Sequence, residues 1–321
     1  MVTVHAASRL HFGLLNPFDG LPVRRFGGVG LMVREPGLRL TAQPAPTWSA
    51  DGPGAARALA FARKFAASFS NEPIEPQRLT IEASAPEHVG LGTGTQLGLA
   101  VAQALAHAWS LSQEDIAGLA ERVGRGRRSA LGIHGFAQGG FLVEAGKAAE
   151  DGIAPLVARV EFPEDWRIVL IIPSDWAGLH GSAEIEAFQR LGRPGVETAP
   201  IDRLCRLVLL GMLPALMERD AQAFGEALYE FNSGVGELFA PIQGGVYAEP
   251  RIELLVQFIR QSGVRGAAQS SWGPTVAAVV EDEERARQLA ERIKRQFTDN
   301  LGRIVITSGC NHGARVRSAC K

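Results

Sequence analysis

The stretch Pro86-Glu87-His88-Val89-Gly90-Leu91-Gly92-Thr93-Gly94-Thr95 constrains this chain more than any other. Its last six residues hold three glycines and two threonines, a composition that neither a strand nor a helix interior keeps. Glycine lets the backbone turn, and it lets a ligand approach without a Cβ in the way. The run from Leu97 to Trp109 is small or apolar except at Gly98, Gln103 and His107, and predicts a helix buried around most of its circumference. A glycine-rich loop feeding a buried helix gathers free N–H groups and the positive end of the macrodipole at one point. That is an anion site, usually for phosphate.

Two common phosphate patterns do not describe this loop. The Walker loop needs a lysine before the threonine, and the dinucleotide fingerprint needs wider glycine spacing after a buried strand. The plain alternative is a tight loop ahead of a core helix.

The rest of the chain reads as two units. With 321 residues there is room for about two domains, and the polar, glycine-containing segment from Glu144 to Pro155 is the expected seam, giving domains 1–155 and 156–321. In the first, Met1–His5 alternates as a strand, and Ser8–Leu14 reads as a loop and second strand. Leu21–Val33 carries Arg24-Arg25-Phe26-Gly27-Gly28-Val29-Gly30, and Leu38–Ala42 continues the alternation. A helix is expected over Ala55–Phe69 and a strand over Gln77–Ala83. Ser112 then opens another helix, with Asp115 completing a variant capping box. Ser129–Gly140 is punctuated by glycine, and Trp176–Glu186 reads as a loop. In the second unit a strand at Arg167–Pro173 is followed by helices near Ile201–Glu218, Ala221–Leu238 and Arg251–Ser262. Strands at Ala267–Ser271 and Thr275–Val280, a helix at Asp282–Phe297 and a strand at Arg303–Thr307 complete it. That order matches a ferredoxin-like α+β sandwich.

Bulk composition excludes some functions. A formal net charge of −1 argues against a nucleic-acid partner or a membrane-attracted surface. No apolar run reaches the ~20 residues that span a bilayer, and no cleavable signal opens the chain. Cys205, Cys310 and Cys320 lack metal-ligand spacing and read as thiols in a reducing cytoplasm, the expected location.

The loop has the form P-x-x-x-G-L-G-[ST]-[GS]-[TS], which closely resembles the phosphate loop of the GHMP superfamily of small-molecule kinases and their relatives. The small-residue stretch Gly266-Ala267-Ala268-Gln269-Ser270-Ser271-Trp272-Gly273-Pro274-Thr275 resembles that superfamily's second glycine loop. The resemblance implies an α+β, two-domain GHMP-kinase-like fold. Its N-terminal mixed sheet would carry a left-handed βαβ crossover, its C-terminal domain would be the ferredoxin-like sandwich, and a ligand cleft would lie between them.

Within the superfamily, four segments together look like the β-ribofuranosylaminobenzene 5′-phosphate synthase family. They are Ser8–Leu14, Arg24–Gly30, the Gly-Thr-Gly-Thr-Gln loop and Gln269–Thr275. That likeness implies condensation of phosphoribosyl pyrophosphate with a 4-hydroxy- or 4-aminobenzoate, releasing CO₂ and pyrophosphate, on the way to tetrahydromethanopterin. It also implies Mg²⁺ and is compatible with a homodimer. Superfamily kinases that use a catalytic aspartate carry it after the phosphate-loop helices, and His134 stands in the corresponding place here. An ATP-dependent kinase and a non-catalytic binding protein remain the competing readings.

Breaking the anomeric C–O bond of such a donor calls for fixed positive groups around the departing pyrophosphate. Gly90, Gly92, Thr93, Gly94, Thr95 and Gln96 are the expected phosphate-binding set. Arg24 and Arg25, embedded in the glycine motif, are the first catalytic candidates, with Arg125, Arg127 and Arg128 as further phosphate forks. Each arginine also fits a solvated surface charge. Among the histidines, His5 and His107 sit in regular patterns and read as structural. His11, His88, His134 and His180 fall in motif or loop stretches, and His11 and His134 are taken as catalytic candidates. Arg9, Ser271, Trp272 and His180 are expected to contact substrate. An apolar pocket near Phe12, Phe26 or Trp272 would suit the benzoate ring, although each aromatic equally fits the core. Glu184 and Glu186 read as helix-capping residues, and the Mg²⁺ ligands are unassigned.

Overall fold

The computed structural model of the chain describes residues 1–18, 24–69, 74–111, 115–148, 152–174, 178, 181–191, 198–297 and 301–318, with the backbone alone for 181–185. Two long strands open the fold, β1 (Val2–Asn16) and β2 (Phe26–Pro44), paired antiparallel along most of their length. Each is one strand where the pattern suggests two. Register shifts between Ala6 and Ser8 and between His11 and Gly13 absorb the irregularity, so β1 bends without ending.

Next come β3 (Ser49–Asp51), α1 (Ala55–Ala67) and β4 (Gln77–Ala83), a parallel strand pair joined through a helix. They are followed by α2 (Thr93–Ala108), α3 (Ile116–Arg122), α4 (Leu131–Gln138), β5 (Phe141–Glu144) and β6 (Leu156–Val160). The second unit starts at β7 (Arg167–Ile172) and α5 (Gly181–Leu191). A π-helical stretch, Val208–Met212, joins α6 (Ala199–Leu207) to α7 (Leu213–Met217), and α8 (Ala221–Gln243) and α9 (Pro250–Gln261) follow. The unit closes with β8 (Gly266–Gln269), β9 (Val276–Val280), α10 (Glu283–Gln296) and β10 (Arg303–Thr307). Finally β11 (Arg315–Ser318) returns to pair with β1.

The first sheet runs β11-β1-β2-β4-β3, with β5 paired to β2 and β6 to β5. The second is antiparallel in the order β10-β7-β9-β8, the ferredoxin-like arrangement expected from the element order. The expected seam at residue 155 falls between the paired strands β5 and β6, and the chain changes sheet between β6 and β7.

Three local features go beyond the sequence reading, and one of them, residues 181–191, corrects it. Residues 131–138 are a helix in spite of two glycines, because those glycines let neighbours press in. A Cβ on Gly135 would meet the Met32 sulfur, and one on Gly132 would lie 3.1 Å from Thr95 Cγ2. Residues 181–191 are helical instead of a loop, as the alanine- and glutamate-rich composition permits. Asp115 is the cap of α3, its carboxylate accepting the Gly118 N–H at 2.8 Å, while Ser112 lies outside the described residues.

Packing follows the expected burial. Leu97, Leu99, Val101 and Leu105 of α2 are fully buried, each contributing on the order of 1.5–3 kcal/mol, which fixes the helix whose N-terminus carries the glycine loop. A second cluster runs through both units, bringing Leu10 and Phe12 of β1 together with Ile168, Leu170, Phe224 and Phe231. Asn232 of α8 donates to Phe12 O at 2.7 Å and Gln269 O at 2.9 Å, and accepts from Gln269 N. One buried amide thus ties β1 to β8. Among the described residues no helix is long and apolar enough to cross a membrane.

Candidate functional site

The glycine loop ends where Gly92, in the left-handed conformation (φ 69°), caps α2. The N–H groups of Thr95 and Gln96 turn back to Gly92 O, leaving those of Thr93 and Gly94 without a protein acceptor. Unpaired donors at the start of a 16-residue helix are a place where an anion is favoured.

The second glycine loop holds the first in place. Ser270 Oγ donates to Gly90 O at 2.7 Å, Thr275 N donates to Val89 O, and a Cβ on Gly273 would collide with Gly90. Strand β1 is locked into the same junction. Arg9 N donates to Leu91 O at 3.0 Å, His11 N to Ser270 Oγ at 3.0 Å, and Ser271 N to His11 O at 2.7 Å. Gly90 and Gly273 are therefore required for backbone-to-backbone contact.

Beside this junction lies a cavity of about 310 Å³. Its lining includes Arg9, Thr95 and the loop from Gly124 to Ser129, which carries Arg125, Arg127 and Arg128. It also includes the apolar Phe188, Val235, Phe239 and Trp272. Three of these rings pack edge to face: Trp272 lies 5.0 Å from Phe239 and 5.8 Å from Phe188, and Phe188 lies 5.9 Å from Phe239. The Arg128 guanidinium sits 4.8 Å from the Phe188 ring centre, where the cationic and aromatic parts of the lining meet. Guanidinium groups also press on the phosphate loop. A Cβ on Gly92 would lie 3.1 Å from Arg9 Cβ, and one on Gly94 would run into Arg57 Nη2 and lie 2.7 Å from Arg125 Nη2.

Part of the lining, His11 and Ser129, belongs to a buried polar cluster. His11 Nε2 lies 3.2 Å from Ser129 Oγ, and Glu144 Oε2 accepts the Ala130 N–H at 2.6 Å. Gly28 leaves the space they occupy, since a Cβ there would be 3.1 Å from Glu144 Oε1 and 3.2 Å from His11 Nε2. Burial, helped by the Arg9 charge, holds the His11 pKa well below its ordinary value, so the ring is neutral near pH 7. Burial pushes the Glu144 carboxyl up to about 6, although Ser129, the Ala130 N–H, Arg9 and Lys147 pull it back.

A raised carboxyl pKa makes the native state bind the proton more tightly than the unfolded chain. The stabilising share is complete below the ordinary value of 4.5 and is lost as pH rises through about 6. Glu144→Gln is thus expected to gain stability over the natural chain at pH 7, on the order of 2 kcal/mol at roughly 1.4 kcal/mol per pKa unit. The gain should vanish by pH 4.5. Thermal melts of both proteins from pH 4.5 to 7.5 check this, and a pH-independent difference would refute it.

The structure brings together Arg9, His11, Thr95, Ser271 and Trp272 of the expected site residues, along with Arg125, Arg127 and Arg128. Gly90, Gly92 and Gly94 shape the loop. Thr93 Oγ1 donates to Pro86 O at 2.8 Å, closing the loop on itself, and Gln96 Nε2 donates to Gly132 O at 2.8 Å, holding α4. Arg24 and Arg25 do not line the cavity. Arg24 is exposed, whereas Arg25 exchanges backbone hydrogen bonds with Lys147 and lies 4.6 Å from the Phe26 ring centre. Phe26 in turn meets Phe188 at 5.9 Å, one ring behind the wall. His134 is turned to the backbone, its Nε2 2.7 Å from Ala154 O, and also stands outside the lining. His180 lies outside the described residues.

Ser129, Glu144, Lys147, Phe188, Asn232 and Phe239 join the site without having been singled out in the sequence. Only Ser129 had a local signal, its position directly after the arginine cluster.

Comparison with known proteins agrees with this geometry. Residues 55–140 match the family model of the GHMP kinases N terminal domain, and residues 212–299 match that of the GHMP kinases C terminal. The β-ribofuranosylphenol 5′-phosphate synthase of Methanothermobacter thermautotrophicus is 30% identical over 335 residues, covering 97% of each chain. That of Archaeoglobus fulgidus is also 30% identical, covering 98% of this chain and 99% of the other. Among solved structures, a putative homoserine kinase from Listeria monocytogenes superposes with a TM-score of 0.68 at 19% identity, over 99% of this chain and all of that one (100%). Mevalonate diphosphate decarboxylase from Staphylococcus aureus does so with a TM-score of 0.66 at 12% identity, covering 99% of both. The structural likenesses carry the fold alone. With glycine loops, sheet orders and end-to-end identity all in agreement, this chain belongs to the GHMP superfamily, in the family of the β-ribofuranosylphenol 5′-phosphate synthases.

Proposed function

We propose that the cavity joins phosphoribosyl pyrophosphate to a 4-substituted benzoate, releasing CO₂ and pyrophosphate, in the cytoplasmic synthesis of a tetrahydromethanopterin-type one-carbon cofactor. One observation carries the reading. A single cavity is lined by the phosphate-loop residue Thr95, Arg9 and the three arginines of residues 125–128 and by the aromatic rings of Phe188, Phe239 and Trp272. The donor's anionic groups need the first set, and a benzoate ring needs the second.

At the cationic side, the free N–H groups of Thr93 and Gly94 and the guanidiniums take up charge that develops on the pyrophosphate as the anomeric C–O bond breaks. At the aromatic side, the ring carbon bearing the carboxylate attacks the anomeric carbon, CO₂ departs with its bonding pair left in the ring, and the ring recovers its aromaticity. Burying the carboxylate among apolar side chains favours its loss. The relatives' names speak of a phenol, so 4-hydroxybenzoate is the first acceptor to test and 4-aminobenzoate the second. Neutral His11, on the cavity wall, is suited to hold a 4-hydroxyl by a hydrogen bond, while burial and the Arg9 charge keep it from taking up the proton. Mg²⁺ is proposed to arrive as the pyrophosphate's counter-ion. The described lining contains no Asp or Glu to hold a metal of its own.

The test is a single incubation of purified protein with Mg²⁺, phosphoribosyl pyrophosphate and each carboxyl-labelled benzoate. Release of labelled CO₂ that depends on the phosphoribosyl donor is expected. ATP-dependent phosphorylation of homoserine or mevalonate is expected to be undetectable, because no aspartate stands at position 134. Turnover of those substrates at rates typical of enzymes, roughly 1–10³ s⁻¹, would replace this reading with a kinase.

A further inference from the structure

We propose that Glu144 and Lys147 are positioning residues that clamp the arginine loop, residues 125–130, into the shape that presents its guanidiniums to the cavity. Lys147 is 8% exposed, and its Nζ donates to Gly126 O at 3.1 Å and to Arg127 O at 3.2 Å. Glu144, fully buried at the end of β5, accepts the Ala130 N–H through Oε2 at 2.6 Å. The end of β5 and the segment just after it thus hold the loop at Gly126, Arg127 and Ala130.

The loop needs such a clamp. It places three arginines within four residues beside two glycines, Gly124 and Gly126, both at positive φ (71° and 84°). Mutual repulsion of the charges and the freedom of the glycines both favour an open loop. Burying an ammonium is costly unless its hydrogen bonds are made, and Lys147 makes them to loop carbonyls that no secondary structure uses. The anchor is itself rigid, because Lys147 exchanges backbone hydrogen bonds with Arg25 at 2.7 and 2.9 Å. This gives Arg25 a part in the site without its touching the cavity. The charges of Arg9, on β1, and of Lys147 both act on the Glu144 carboxyl and favour its ionised form.

The identity of the anion rests on the proposed function, whereas the clamp does not. Trypsin separates the two, since it cuts after arginine and the loop offers Arg125, Arg127 and Arg128. Under native conditions Lys147→Met and Glu144→Ala are expected to be cut in this loop at least tenfold faster than the natural chain, with cuts elsewhere unchanged. Glu144→Gln, which keeps an oxygen for the Ala130 N–H, should stay within twofold of the natural chain. Calorimetry should show phosphoribosyl pyrophosphate binding at least tenfold weaker to Lys147→Met. Loop cleavage at the natural rate in both disruptive variants, or cleavage rising equally across the molecule, overturns the clamp. Faster loop cleavage in those variants, with no donor binding even by the natural chain, upholds the clamp and removes the proposed ligand.

Discussion

Gly94→Val is expected to lower kcat/KM for phosphoribosyl pyrophosphate by on the order of 10²–10³-fold, the usual consequence of losing donors aimed at developing charge. The chain should remain folded. Gly94 lies inside α2 without a positive φ, so valine adds little backbone strain and is, if anything, a better helix former than glycine. What its side chain would strike are the flexible ends of Arg57 and Arg125. Both guanidiniums must swing off the start of the helix, and the branched side chain then covers the free N–H groups. Gly90→Val is the contrasting case, because its backbone is at φ 91° and the added atoms would meet Ser270 O. That variant should lose stability along with binding. Titration calorimetry and thermal melts on the pair separate the two effects. Unchanged donor affinity in folded Gly94→Val would reduce the loop to a structural turn.

The second large effect concerns the arginines. Arg125→Ala and Arg128→Ala should each lose about 2–4 kcal/mol of transition-state stabilisation, and the Lys variants should recover only part, because an ammonium cannot fork onto phosphate. Arg128→Ala should also raise KM for the aromatic acid, since its guanidinium lies on the Phe188 ring. Arg24→Ala, exposed and away from the cavity, should stay within about twofold of the natural enzyme, as surface charges usually do. Steady-state kinetics with each substrate varied in turn would decide. Near-normal kinetics in both Ala variants of the loop, alongside a crippled Arg24→Ala, would move the anion site to the start of β2.

What could be read from the sequence was what is local. Gly90, Gly92 and Gly94 announce a phosphate loop because the constraint acts on their own backbone, and the buried face of α2 shows in consecutive residues. The ferredoxin-like order of the second unit follows from a regular alternation of patterns. Residues whose work is done over long distances in the chain stayed hidden. Asn232 bonds Phe12, 220 residues away, and Ser270 bonds Gly90, 180 residues away. Glu144 and Lys147 lie in a polar stretch that resembles a linker, and nothing beside them indicates that both are buried. Arg24 and Arg25 stood out because they flank a glycine motif, but those glycines serve other needs. Gly28 makes room for His11 and Glu144, and Gly30 lets Leu10 O come close.

The return of β11 to β1 has a consequence for how the protein is made. Strand β1 is synthesised well before β11, yet among the described residues its edge at Val2–His5 away from β2 is filled by residues 315–318. At about 5–20 residues per second, roughly 15–60 s separate the two during translation. Throughout that interval the first sheet carries an open edge at β1, and open edges invite pairing with other chains. Thr3, His5 and the cations Arg315 and Arg317 occupy this seam, so the late strand brings charge to an edge that is polar on its outer face. A ribosome-bound nascent chain cut short before residue 315 should therefore be the form of this protein most prone to self-association, and the last strand is the release step.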